Sequence, residues 1–455
     1  MSPPSGPGSG LDPVTATLTP AAAAAIDWHG IVIGAGPAGA AVAIRLARQG
    51  LRVLLVDRSS MPRPKVCGCC LSPLAVAELA LLCPADAMPT PLPLATVCLV
   101  SAGRSARIPM PGGGVLSREA LDTALVRQAI AAGADWLPTM LVEAIHEEPS
   151  DEKPTDLGKE GVTVVARTTT TALQAAVQLH GRVAVIAAGL ADTIRIPSPD
   201  TSASIDGRLA RHAGPDRRGR HVAPGSRIGV GTTITAASPG HRAAAIDLPV
   251  GELVMAVGRH GYCGLVRLED NRIDLAAAVD RKLIATEGGP AAGIAHLLNE
   301  AFGESPLATA MERTILAVPG ATFRATPPLT HHSPRIAGAT QRIFRVGDAA
   351  SYVEPFTGEG IGWALAGGRI LAQALLGDIA TAAACYRLSH RRLLAAHHAR
   401  CQWVARSVRQ PGIVSGAVGL AQFMPWAARR AVPLLVGAAI SAPISAPISV
   451  QSDSC

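Results

Sequence analysis

A glycine-rich stretch near the N-terminus has the residue types and spacing to hold a diphosphate. Gly34, Gly36 and Gly39 follow the apolar run Ile31-Val32-Ile33 and open a helix-forming stretch from Pro37 to Arg48, with Ala38 in its first turn. In a strand–turn–helix unit the first glycine permits the tight turn. The second lets the backbone approach a pyrophosphate, and the third lets the helix pack on the sheet. The free amides and positive dipole end of such a helix favour a bound anion. A second apolar run, Val53 to Val56, ends in Asp57 and Arg58. An acid about 20 residues beyond the glycines is placed to accept hydrogen bonds from ribose hydroxyls.

A second constellation lies over three hundred residues later. Phe344-Arg345-Val346 precedes Gly347-Asp348-Ala349-Ala350, and Pro355-Phe356-Thr357-Gly358-Glu359-Gly360-Ile361 follows. The first part reads as a strand with an acid at its end. The second opens a helix whose N-terminal amides suit negative charge. Between the constellations stand Arg63-Pro64-Lys65-Val66-Cys67-Gly68 and Ser117-Arg118-Glu119, the latter opening a helix that ends near Gly133.

In this order and separation, the motifs resemble the FAD-dependent oxidoreductases of the aromatic-hydroxylase and geranylgeranyl-reductase superfamily. The resemblance covers about 24–195 and 335–395 and implies tight, non-covalent FAD. Asp348, after Gly347, would bind the ribityl chain. Lys65, Cys67 and Gly68 would lie against the isoalloxazine, and Arg118 against the FAD. The helix start at Pro355, Gly358, Gly360 and Ile361 would face the flavin pyrimidine. Two departures stand out. Relatives carry an Asp-Gly pair after the strand before the central domain, whereas Val183 to Ala187 is followed by Ala188-Gly189-Leu190-Ala191-Asp192. The aromatic-rich substrate signature of the reductases and the double-Trp signature of halogenases are also missing, since the corresponding region reads Gly261-Tyr262-Cys263-Gly264-Leu265-Val266.

These readings predict an α/β protein with a discontinuous Rossmann-type FAD-binding domain. An α+β substrate domain on a mostly antiparallel sheet is inserted into it, and a helical segment closes the chain. Residues 1–24, rich in Pro, Ser, Gly, Thr and Ala, read as a disordered arm. The FAD domain's first part spans 25–195, with an excursion toward the substrate domain near 95–111. The substrate domain spans 196–334, the second FAD part 335–395, and C-terminal helices and tail 396–455. The span 141–179, with its polar insert 147–161, reads as a small three-stranded unit.

The 455 residues carry a net charge of +7 and only 3% aromatics. The basic run from Arg208 to Arg227 and the charges of His390 to Arg409 lack interleaved aromatics, so they read as solvated surfaces and no nucleic-acid partner is expected. Nine irregularly spaced cysteines, with no Lys or Arg before Arg45, predict reduced thiols in the cytoplasm and no metal site. The apolar tail 411–450 is interrupted by prolines and predicts at most peripheral membrane contact near Trp426, Arg429 and Arg430.

With one dinucleotide fingerprint assigned to FAD, NAD(P)H would dock transiently. The favoured expectation is a monooxygenase of an apolar aromatic, polyketide or isoprenoid-like molecule. The alternatives are a reductase of isoprenoid double bonds and a non-catalytic prenyl-binding carrier. Cys67 and Glu359 are the candidates nearest to a catalytic position.

Overall fold

The computed structural model describes residues 10–147, 161–170, 175–197, 221–222, 225–234, 248–329, 331–332, 342–352, 356 and 358–424. Pro355, Arg208 to Arg220, most of the polar insert and the tail beyond 424 lie outside them. In chain order the first body contains α1 (Pro20–Ala24), β1 (Asp27–Ile33), α2 (Pro37–Ala47), β2 (Val53–Val56), β3 (Cys70–Leu71) and α3 (Pro73–Leu82). It continues through β4 (Leu92–Ser101), β5 (Arg104–Val115), α4 (Arg118–Ala131), β6 (Asp135–Leu137), β7 (Met140–Glu147), β8 (Val162–Thr168) and β9 (Val177–Ile186). Then follow β10 (His221–Val222), β11 (Ile228–Ile234), β12 (Glu252–Gly258), β13 (Gly261–Arg267) and β14 (Ile273–Val279). Helices α5 (Arg281–Thr286), α6 (Pro290–Phe302) and α7 (Pro306–Leu316) lead to β15 (Arg324–Pro328) and β16 (His331–His332). The chain closes with β17 (Ile343–Arg345), α8 (Gly360–Leu375), α9 (Ile379–Val408) and α10 (Pro411–Phe423).

The first sheet runs β6-β2-β1-β9-β8-β7, with β17 also beside β9. Its centre is parallel: β2 and β9 flank β1, and β17 pairs with Ala184 to Ile186. On the edge away from β1, strand β9 is long enough to serve two partners, since its earlier half pairs antiparallel with β8 and its later half parallel with β17. The expected three-stranded unit is thus an extension of the main sheet. A parallel centre must be covered on both faces, and the alternation of β1 shows how. Val32 packs with Val42, Leu55 and Phe344 on one side, while Ile31 and Ile33 join Leu54 and Ile186 on the other.

The second sheet, β15-β11-β14-β13-β12-β4-β5-β3, is antiparallel except where β12 runs parallel to β4. Strands β3, β4 and β5 therefore belong to the substrate sheet although their sequence lies within the first FAD part. Helices α6 and α7 cover one face through Leu297, Leu298, Met311 and Ile315. The other face meets α9 and α10 through Val404, Val408, Val414 and Val418. His260 and His296 both approach Glu300, at 3.0 and 3.8 Å, and pin the β12–β13 turn to α6.

The described part of the N-terminal segment is packed, against the expectation of a disordered arm. Val14 is buried and its amide donates to the Met61 carbonyl at 3.0 Å. Thr17 Oγ1 donates to Asp135 at 2.8 Å, and Thr19 caps α1. Composition predicted a tail because the segment is short of large apolar residues. A few specific polar contacts hold it instead, together with buried Val14 and Ala23 and the partly buried Leu11 and Leu18.

Candidate functional site

The turn from β1 into α2 needs glycine at two places. Gly34 has φ +109°, and a Cβ there would strike the Ala187 carbonyl. A Cβ on Gly39 would strike the carbonyl of Gly34. Gly39 is thus a packing residue and does not line the cavity. Around Gly36, by contrast, a Cβ would meet nothing nearer than Arg118 Nη2 at 3.9 Å, which leaves the approach to the α2 N-terminus open.

That opening belongs to a cavity of about 570 Å³ between the two sheets. On the first sheet's side it is lined by Gly34, Gly36, Pro37, Ala38, Asp57, Arg58, Lys65, Cys67, Gly68 and Arg118. From the later constellation come Gly347, Asp348, Gly358, Gly360 and Ile361. The structure therefore brings together both constellations and the segment between them. The substrate sheet supplies an apolar floor of Leu253, Met255, Gly264, Ala276 and Ala278, with Tyr262 and Phe356 in edge-to-face contact at 5.0 Å.

Glu359 is not brought to this cavity. It is buried at the start of α8, where Cys401 Sγ of α9 approaches its Oε2 at 3.2 Å. Its neighbours Gly358 and Gly360 line the cavity while its own side chain turns away toward α9. The displaced acid Asp192 is likewise elsewhere, within 3.4 Å of Arg345 Nε. Asp57 lines the cavity, but its carboxylate also fastens the turn: it accepts from the Ala35 amide at 2.8 Å and the Ser59 amide at 2.9 Å.

Sequence reasoning missed the charged chain behind the cavity. Arg63 lies 3.3 Å from Asp57 and 3.7 Å from Asp122. Asp122 is fully buried and grips Arg118 in a two-bond fork, at 3.0 Å from Nε and 2.8 Å from Nη2. The spacing of four residues on one helix was a readable signal for that pair. Burial disfavours the Arg118 charge, but Asp122 and Cys67 hold it firmly protonated. Arg118 in turn faces Cys67. A hydrogen bond from the Cys69 thiol and the Arg118 charge outweigh desolvation and bring the Cys67 thiol down to about 5. Lys65 opens onto the cavity while protein surrounds it, and desolvation together with Arg118 and Arg63 lowers its pKa. Asp274 of β14, also missed, is buried beside these thiols; desolvation and then the charge of Cys67 push its carboxyl well above the usual range.

The cavity fits FAD on its own chemistry. Arg58, Arg63, Lys65, Arg118 and Arg324 line it against the carboxylates Asp57 and Asp348, so cations are in excess where a pyrophosphate would bring negative charge. The N-terminus of α2 points to the same region. Asp348 is placed to accept from hydroxyls, and the N-terminus of α8 borders the cavity where the two sheets meet.

Comparison with known proteins agrees. Residues 32–87 match a family model described as an NAD(P)-binding Rossmann-like domain. A menaquinone reductase of Mycolicibacterium smegmatis is 36% identical over 124 residues, 26% of this chain and 30% of that protein. A probable electron transfer flavoprotein-quinone oxidoreductase, YgcN, of Escherichia coli is 39% identical over 127 residues, 26% of this chain and 29% of that protein. The alignments thus span less than a third of these relatives. Among solved structures, the flavin-dependent brominase Bmp2 superposes with a TM-score of 0.65 at 16% identity, covering 91% of this chain and 94% of that one. A flavoprotein/dehydrogenase of Cytophaga hutchinsonii gives 0.63 at 14% identity, covering 90% and 93%. Fold and fingerprint together show a flavoprotein-like fold with a Rossmann-type dinucleotide-binding unit. Among the described residues no helix is long and apolar enough to cross a membrane.

Proposed function

We propose that the chain reduces an apolar conjugated molecule of the quinone or isoprenoid type, with NAD(P)H as a transient electron source. The carrying observation is the single cavity in which the dinucleotide motifs open directly onto the apolar floor of β12, β13 and β14. Bound FAD supplies two-electron transfer there. The chain supplies the rest. Arg58 and Arg63 offer charge to the phosphates, Lys65 lies against the isoalloxazine, and Asp348 anchors the ribityl chain. Leu253, Met255 and the Tyr262–Phe356 pair exclude water from the reacting face. The relatives alike in sequence are named as a reductase and an oxidoreductase of quinones. That likeness moves the preference from hydroxylation to reduction. A carrier has no use for the cationic dinucleotide half of the cavity.

Hydroxylation of the same kind of molecule remains the second reading. It is favoured by Gly261 to Val266, where the reductases' aromatic-rich signature is missing and Tyr262 is the one aromatic residue. One experiment separates the two. The purified protein, loaded with FAD, is given NAD(P)H and candidate quinones and prenyl compounds with and without oxygen, and products are weighed by mass spectrometry. Reduction predicts a gain of two hydrogens that persists anaerobically. Addition of one oxygen atom, lost when oxygen is excluded, overturns it in favour of hydroxylation. A protein that takes up no FAD overturns both.

We also propose that such a substrate is drawn from a lipid surface. Helix α10 packs on the substrate sheet through Val414 and Val418 yet leaves Ile413, Leu420 and Phe423 exposed.

A further inference from the structure

The segment between the two constellations holds two cysteines two residues apart, and the reaction above uses neither thiol. The Cys69 thiol donates to the Cys67 carbonyl, with Sγ 3.8 Å from that oxygen, and stands near enough to the Cys67 sulfur to lower its pKa. Cys67 lines the cavity, whereas Cys69 is buried behind it. Cys69 has φ +52°, in the left-handed region that a glycine would occupy at no steric cost. A thiol held in that conformation, buried behind the cavity wall, marks a position where the side chain outweighs the backbone preference.

A second observation points to the same pair. Asp274 Oδ2, from a residue only 7% exposed, is buried with no hydrogen-bond partner among the described residues. Its carboxyl stands beside Cys69 and Cys67; its burial and the Cys67 charge favour the protonated form and outweigh a hydrogen bond from Cys69. On the opposite side, Arg118 carries the charge that a Cys67 thiolate needs. One thiol is thus prepared as a nucleophile, the other is held as a thiol, and a proton-holding carboxyl adjoins both. The remaining neighbours, Cys70 and Cys263, are pushed up by desolvation and stay as unreactive thiols.

We propose that Cys67, Gly68 and Cys69 form a redox-active dithiol that exchanges two electrons with the bound FAD. The proposal rests on the assignment of the cavity to FAD. In the oxidising direction the Cys67 thiolate and the Cys69 thiol join in one S–S bond, and the S–H bond of Cys69 breaks. Its proton and two electrons pass to oxidised FAD, giving the reduced, singly protonated cofactor. The reverse step restores thiolate, thiol and oxidised FAD. The pair is a second two-electron store, and through thiol–disulfide exchange it ties the flavin to the surrounding thiol pool.

Two measurements test it, both in a Cys385→Ser, Cys455→Ser background that removes the exposed thiol among the described residues and the last cysteine of the sequence. First, the purified protein is equilibrated in glutathione buffers, trapped by alkylation and digested. The peptide holding Cys67 and Cys69 should appear unalkylated at both and two hydrogens lighter, in a fraction that follows the glutathione ratio. Second, the FAD-loaded protein is first oxidised with glutathione disulfide and freed of it, then reduced anaerobically while electrons are counted. Uptake should be four electrons per FAD, falling to two in Cys69→Gly, whose glycine relaxes the left-handed backbone and so preserves folding, and again in Cys67→Ser. Equal uptake in all variants, or no trapped disulfide at any ratio, overturns the proposal. A disulfide that forms in protein unable to bind FAD overturns the cofactor assignment, and with it the exchange. FAD binding with neither signature overturns the dithiol alone.

Discussion

At the scale of single residues, the site is a line of alternating charge. It passes from Asp57 through Arg63, Asp122 and Arg118 to Cys67, linking the dinucleotide turn to the substrate sheet. Each member pairs with the next, although Arg63 Nε is buried without a hydrogen-bond partner among the described residues. Asp122 is fully buried, so Asp122→Ala strands Arg118 and should destabilise the fold by about 3–5 kcal/mol, read from denaturant unfolding. Arg118 also sets the state of Cys67. The pH dependence of alkylation should show a thiol near 5 in the wild type, an upward shift in Arg118→Met, and partial recovery in Arg118→Lys. Because folding depresses this thiol from its ordinary 9.0, its contribution to stability is full above that value. It declines as pH falls and is gone once pH passes below about 5. An alkylation profile unchanged in Arg118→Met would show that the guanidinium does not govern the sulfur. At Asp348, replacement by Ala removes a charge-assisted hydrogen bond of about 1.5–3 kcal/mol, so FAD should bind about tenfold or more weakly. Equilibrium dialysis showing unchanged affinity would remove Asp348 from the cofactor site.

At the scale of elements, the closeness of α2 to its neighbours decides the geometry. Gly39 lets α2 start against the Gly34 carbonyl, and a Cβ on Gly368 of α8 would come within 2.7 Å of the Ala38 carbonyl. Gly39→Ala therefore pushes the first turn of α2 away from its phosphate-facing position. Overpacking of this kind costs about 1–3 kcal/mol, so Gly39→Ala should melt earlier and retain less flavin; unchanged melting and flavin content would refute the packing role. This unit was legible in the sequence because strand, turn, helix and acid are local, and each step has its own residue type. The strands of the central domain were legible from their apolar runs. What escaped was non-local. Nothing in Leu92 to Val115 says that β4 will lie parallel to β12. Nothing near Glu359 says that α9 will bring Cys401 against it and turn the carboxylate from the cavity. Asp274 left a faint trace as a lone acid in Ile273 to Val279, but its thiol neighbours come from a segment some two hundred residues earlier.

At the scale of the whole molecule, the two sheets enclose a cavity that α9 and α10 help to close. A substrate that fits the apolar floor is poorly soluble in water, so the route to the cavity matters as much as its shape. Helix α10 has an unusual distribution for a covering helix. Val414 and Val418 face the sheet, yet the outward stripe Ile413, Leu420 and Phe423 is 56%, 57% and 86% exposed. A helix that only covered the sheet would present polar residues outward. An apolar outer stripe is suited to the interface of a bilayer, where Phe and Leu side chains enter the acyl boundary without crossing it. The protein should therefore sediment with lipid vesicles. The triple change Ile413→Ser, Leu420→Ser, Phe423→Ser should lower the bound fraction about tenfold or more, since each buried apolar side chain is worth about 1.5–3 kcal/mol. These three side chains are exposed, so flavin content and melting temperature should stay at wild-type values. Activity on a soluble short-chain substrate should also persist, while activity on the same head group carried in vesicles should fall. If wild type and variant sediment alike, the stripe does not meet lipid, and substrate reaches the cavity from solution.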